Sequence, residues 1–244
     1  MDKRLLEVCV DDAAGLETAI AGGADRIELC SALAVGGLTA LPGLMALAAR
    51  APIPVYAMVR PRAGDFVFSP SEMEMMRADI DLIRQYGLSG VVLGANGPDG
   101  HLEVEALKAL VDHASGLGLT LHRAFDLVPD FAPAVDIAIG LGFERILTSG
   151  GERSALEGLD ALETIAGLAA GRISIMPGAG VNAQNAGEII ARTGAHEIHA
   201  SGSGAPHEVT GKVRALGFDG PSRRGTSIEA VRAIKRAIAP QAGQ

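Results

Sequence analysis

Two short segments near the start of the chain place a carboxylate and a thiol two residues apart, Glu7-Val8-Cys9 and Glu28-Leu29-Cys30, and they hold the only two cysteines. In a β-strand, residues i and i+2 face the same side, so each segment sets an acid beside a sulfur on one surface. Neighbouring strands would bring four potential ligands together. A carboxylate in an apolar strand is costly to bury unless it is paired, liganded or catalytic. Thiolates suit soft Cu(I), and paired cysteines in a reducing compartment point to metal or redox chemistry more often than to a bridge. Cys9 and Cys30 are therefore candidate Cu(I) ligands, with Met58 as a further soft sulfur; the competing reading is that both thiols are small apolar filler. A closed zinc site is disfavoured, since no C-x-x-C or H-x-x-x-H spacing occurs.

Further polar residues fall late in apolar runs: Arg60, His122, Arg123 with Asp126, Thr148, Ser149, His199 and Ser201. Glu7, Glu28, His122, Asp126 and His199 are the candidate acid/base groups, while Arg60, Arg123 and Ser149 could hold an anionic or polyol substrate. Alternatively, Glu7 and Glu28 pair with Arg60 or Arg123 and simply fill an interior, an arrangement that adds little stability. Pro177-Gly178-Ala179-Gly180 and Ala200-Ser201-Gly202 suit either a phosphate cradle, with Gly178, Gly180 and Ser201 contributing, or ordinary tight turns. Lys3, Lys108, Lys212 and Lys235 all lie away from these runs, which argues against Schiff-base chemistry.

The elements that would position these groups alternate along the chain. Strands are predicted at 5–10, 26–30, 55–60, 90–93, 119–123, 145–148, 173–176 and 197–200. Helices are predicted at 13–21, 41–50, 71–86, 104–115, 131–141, 155–169, 183–193 and 227–238, with Ser71 as the cap of the third and Gly87 and Gly194 just past helix ends. Gly23-Ala24-Asp25-Arg26-Ile27 and Gly142-Phe143-Glu144-Arg145-Ile146 look like copies of one βα unit. Eight units in 244 residues, about 30 each, predict a single α/β domain, a (β/α)8 TIM barrel with its site at the C-terminal strand ends. A doubly wound sheet is the alternative, but the first loop, Val10-Asp11-Asp12-Ala13-Ala14-Gly15, lacks the G-x-G-x-x-G fingerprint, so no nucleotide cofactor is expected.

Composition narrows the partners. A net charge of -8, 3% aromatic residues and no Trp argue against nucleic acid. No apolar run approaches the ~18 residues of a membrane span, and the first strand begins too soon for a signal peptide. The expected setting is the cytoplasm, with reduced thiols. Helix faces rich in Ala and Leu can serve barrel or partner alike, and a homodimer is the assembly they allow.

Taken together, Glu7-Val8-Cys9-Val10, Gly23 to Ser31, Arg60-Pro61-Arg62, Pro98-Asp99-Gly100, His122-Arg123-Ala124-Phe125-Asp126, Ile146 to Gly151, Met176 to Asn182 and His199-Ala200-Ser201 resemble the CutC copper homeostasis family over about residues 5–203. The resemblance implies a (β/α)8 barrel and Cu(I) binding at Cys9 and Cys30. It also carries Glu7, Glu28, Arg60, His122, Arg123, Asp126 and His199, which Cu(I) would not need and which look like an enzyme site for a small polar substrate. Residues 205–226, ahead of the last helix, match no motif and are read as a loop of unassigned role.

Overall fold

The computed structural model describes residues 4–206, 209–218 and 224–240. Eight parallel strands, β1 (Leu5–Val10), β2 (Arg26–Leu29), β3 (Val55–Met58), β4 (Gly90–Leu93), β5 (Gly118–Leu121), β6 (Arg145–Thr148), β7 (Ser174–Pro177) and β8 (Glu197–Ala200), form one sheet in the order β7-β6-β5-β4-β3-β2-β1-β8. The first and last strands pair, and the ends of the ladder, β7 and β8, stand side by side, so the sheet closes into a TIM barrel.

Seven helices follow the first seven strands: α1 (Ala13–Gly22), α2 (Pro42–Ala48), α3 (Pro70–Gln85), α4 (Val104–His113), α5 (Phe131–Gly140), α6 (Leu159–Ala169) and α7 (Ala186–Thr193). The stretch read as a loop contains a short antiparallel pair, β9 (Ser203–Pro206) and β10 (Arg224–Thr226), and a five-residue helix, α8 (Gly211–Ala215), before α9 (Ile228–Ala237). Its lack of apolar periodicity hid these elements. The cap of helix α3 lies two residues before Ser71: Ser69 is the cap, Pro70 takes the first turn, and Ser69 and Glu72 exchange bonds in a capping box. Gly87 and Gly194 do sit at helix ends with φ of 70° and 67°.

Alternation along the strands separates two interiors. Leu6, Val8, Ile27, Leu29, Ala57, Val91, Leu93, Leu121, Ile146 and Ile198 point outward into the apolar layer beneath the helices. The inward positions are different in kind. They carry Glu7, Arg26, Glu28, Thr120, His122, Arg145, Glu197 and His199, all buried, alongside a small apolar group of Cys30, Tyr56, Met58 and Val92.

Candidate functional site

Register brings the two acid-thiol segments together. In the β1–β2 ladder Glu7 lies opposite Arg26 and Cys9 opposite Glu28, and in the β1–β8 ladder Glu7 lies opposite His199. At the lower level of the lumen, Glu197 accepts from Arg26 and from Arg145 Nε, the latter at 3.0 Å. Arg145 Nη1 donates to Thr120 at 3.0 Å, and both guanidinium groups lie over the Tyr56 ring, at 5.3 and 4.9 Å. Above this, Glu7 accepts from Arg26 Nε, and its other oxygen is 2.8 Å from His199 Nδ1. His199 Nε2 is 3.8 Å from Glu28 Oε2, which also accepts from Cys30 Sγ at 3.4 Å.

This chain of charges controls protonation. Burial alone would push the Glu7 carboxyl up, but Arg26 and His199 override it and hold it at about 2. Burial opposes charging of His199, yet Glu28 and the sulfur of Cys9, with Glu7, raise it well above the usual imidazole value. His199 is thus an imidazolium that Glu7 anchors. Glu28 is driven up by burial, with His199 pulling the other way, and its Oε1 has no partner. Burial and then Glu28 push the Cys30 thiol well up, so it sits as a neutral donor to that carboxylate.

A cavity of about 730 Å³ opens above the network. Cys9, Glu28, Met58, Arg60, His122, Arg123, His199 and Ser201 all line it, and Val209, Val213, Phe218 and Arg224 form part of its rim. Cys9, Glu28 and His199 bring one sulfur, one oxygen and one nitrogen within 4.8 Å of each other, all buried. Both thiols are free, and Cys30 is outside that trio.

The remaining sequence candidates are placed elsewhere or are already engaged. Neither Arg60 nor Arg123 pairs with Glu7 or Glu28; the partners are Arg26 and His199, because the ladder puts them level with the acids. Arg60 spends both terminal nitrogens on the carbonyls of Val35, Gly37 and Gly64. Asp126 stands apart from the network in the 3-10 turn that follows β5, where Thr148 Oγ1, the N–H groups of Ser149 and Gly151, and Arg123 Nε all donate to it. Ser149 is tied to Arg123, at 2.6 Å, and to the Glu152 carbonyl. Past Gly178 and Gly180, Asn182 and Asn185 side chains accept from the N–H groups of Gln184 and Asn182. Ser201 lines the cavity with its hydroxyl against Ser203 at 2.8 Å.

Arg26, Arg145 and Glu197 are the lumen residues that motif reading passed over. The signal was present: Arg26 is two residues before Glu28 and Glu197 two before His199, so each shares a strand face with a chosen residue.

Residues 4–204 match the CutC family. The chain belongs to the CutC family. A CutC family protein of Rhizobium meliloti (strain 1021) is 56% identical over 243 residues, covering 99% of both chains. The solved CutC from Streptococcus agalactiae, named for copper homeostasis, superposes with a TM-score of 0.78 at 33% identity over 81% of this chain and 98% of that one. Thiamine phosphate pyrophosphorylase from Pyrococcus furiosus, 15% identical with a TM-score of 0.59 over 97% of this chain and 96% of that one, shares the barrel fold alone. The CutC match includes every residue of the charged lumen and stops before α8 and β10, which supply part of the rim. Among the described residues of this CutC-family barrel no helix is long and apolar enough to cross a membrane.

Proposed function

We propose that this CutC-family protein is an enzyme that moves protons on a small polar substrate held in the barrel mouth. One observation carries the reading: a buried carboxylate with an unpartnered oxygen, Glu28, faces an imidazolium, His199, at the floor of an open cavity. An apolar lumen would be as stable as a buried ionic one, so the network supports a chemical task. Glu28 is the main group that keeps His199 charged, and Glu7 orients it through Nδ1, leaving Nε2–H toward Glu28 and the cavity. Glu28 is then the group that takes a proton from the substrate, and His199 the group that supplies one. A thermal-shift screen of sugars, polyols and their phosphates tests the reading, because a ligand that binds the folded state raises its melting temperature. Glu28→Gln and His199→Asn should retain that shift while losing about 10²–10⁴-fold in turnover; a wild-type protein that no such compound stabilises would sink the idea.

A second reading is copper homeostasis, for which the relatives' names and the Cys9, Glu28 and His199 trio speak. In it the protein buffers or delivers Cu(I) as cargo. The mixed sulfur, nitrogen and oxygen set is a poorer match to Cu(I) than two thiolates, and the neutral, hydrogen-bonded Cys30 stands outside it. Free thiols support a reducing, cytosolic setting. Cu(I) competition under reducing conditions tests this reading: if the trio holds copper, Cys9→Ser should abolish the affinity and Glu28→Gln should weaken it, whereas a wild-type protein without Cu(I) affinity overturns it.

A further inference from the structure

Four buried side-chain polar atoms among the described residues have no hydrogen-bond partner: Glu28 Oε1, Arg60 Nε, His122 Nε2 and Asn96 Oδ1. The residues of the first three line the same cavity. Buried polar atoms without partners are rare and costly, so three around one cavity describe what its occupant must offer. Besides Glu28, the unmet groups on this cavity, Arg60 just past β3 and His122 just past β5, are both donors.

The identity of the His122 donor follows from its surroundings. Nδ1 accepts the Ala124 N–H at 3.2 Å, where the ring starts the short 3-10 helix Arg123–Leu127. In the neutral ring the proton must therefore sit on Nε2. The ring is fixed in place: a Cβ on Gly94 would come within 2.5 Å of Nδ1, and Phe66 packs at 4.8 Å between centroids on a tilted plane. Phe66 also carries the Arg60 guanidinium 4.8 Å from its centroid, so one aromatic ring touches both donor residues. Burial, with the Arg60 charge adding to it, holds the imidazole at about 3 and hence neutral.

We propose that His122 is a catalytic hydrogen-bond donor to a carbonyl oxygen, shared with Arg60, and that the substrate is a small α-hydroxy ketone or aldehyde. This rests on the acid–base reading of Glu28. Two unmet donors suit an oxygen that carries two lone pairs and no hydrogen, whereas an alcohol would bring an O–H of its own to the same place. A neutral imidazole suits an oxygen that is uncharged on arrival and gains charge as reaction proceeds. The step balances within the cavity. The C–H bond next to the carbonyl breaks, its proton goes to the Glu28 carboxylate, its electron pair forms the C=C bond of an enediolate, and the former carbonyl π pair rests on the oxygen facing His122 and Arg60. Return of the proton from Glu28 to the former carbonyl carbon, with the proton of the neighbouring hydroxyl passing to the oxygen that faces His122 and Arg60, leaves the carbonyl on the other carbon and completes an isomerisation with no external oxidant.

Matched open-chain pairs that differ only at the carbonyl, dihydroxyacetone against glycerol and hydroxyacetone against propane-1,2-diol, test this on the full-length protein. The carbonyl member should bind at least tenfold more tightly by calorimetry, and its isotope-edited C=O stretch should move to lower frequency when bound. His122→Phe should abolish both the preference and the shift, and His122→Gln, which keeps an N–H, should restore part of each. Glu28→Gln should keep the preference and lose deuterium uptake at the adjacent carbon. Equal or tighter binding of the alcohols, or an unmoved stretch in the wild-type protein, overturns the proposal while leaving the acid–base reading intact. Undiminished deuterium uptake in Glu28→Gln overturns that reading, and with it the step written here. A wild-type protein that binds neither member of either pair overturns the proposed substrate class without recourse to any variant.

Discussion

At the residue scale, His122 and His199 are one residue type set to different charge states by burial and by their neighbours. His199 lies between Glu7 and Glu28 and holds its proton; His122 lies beside Arg60 and cannot. The difference has a thermodynamic signature. In the folded protein His122 stays neutral down to about 3, whereas the unfolded chain binds its proton below 6.5. The unfolded state therefore gains protons first, and stability should fall as pH drops from about 6.5 toward 3, by up to about 1.4 kcal/mol per pH unit from this group. Urea unfolding at a series of pH values should show a shallower acid slope for His122→Gln than for the wild type. Arg26 gives a second prediction at this scale. Replacing it with Met removes the guanidinium that links Glu7 to Glu197, leaving only His199 and Arg145 to pair with them, and should cost about 3–5 kcal/mol in chemical denaturation.

At the element scale, glycines in β4 and β5 make the room that the ring of Tyr56 in β3 occupies. A Cβ on Gly118 would stand 2.1 Å from Tyr56 Oη, and one on Gly90 2.4 Å from the ring. Gly118→Ala should destabilise the fold by about 1–3 kcal/mol, and Tyr56→Phe, which removes the closest atom, should return part of that loss in a double-mutant cycle. The α3 capping box is a local feature of similar size. Ser69→Ala should lower stability by about 1 kcal/mol, whereas Ser71→Ala should leave it nearly unchanged. Strand and helix positions were legible because apolar alternation and Gly punctuation are local. Ends were less so, as at Ser69, where a proline after the cap and a glutamate three residues on had to be weighed together.

For the whole molecule, two layers of burial serve different ends: an apolar shell between sheet and helices, and a charged lumen open to a cavity on one side. The rim of that cavity draws on β10 and α8, beyond the family match, and includes Val213 and the 80% exposed Phe218. These side chains bury little of the protein and border the space a ligand would fill. Val213→Ser with Phe218→Ser should leave unfolding free energy within about 0.5 kcal/mol of wild type and speed ligand dissociation, as measured by stopped flow.

The chain alone established the eight-unit barrel and the convergence of Glu7, Cys9, Glu28, Cys30 and His199, since period-2 alternation and repeated units state which residues share a face. Pairing was decided only by tertiary structure. Which cation meets which acid depends on strand register, and register is a property of two strands together; hence Arg26 and His199, rather than Arg60 and Arg123, neutralise Glu7. Charge state was decided there too. Burial and neighbours several strands away make His122 a neutral donor and His199 a cation, because desolvation and Coulomb energy depend on distance through space and not along the chain.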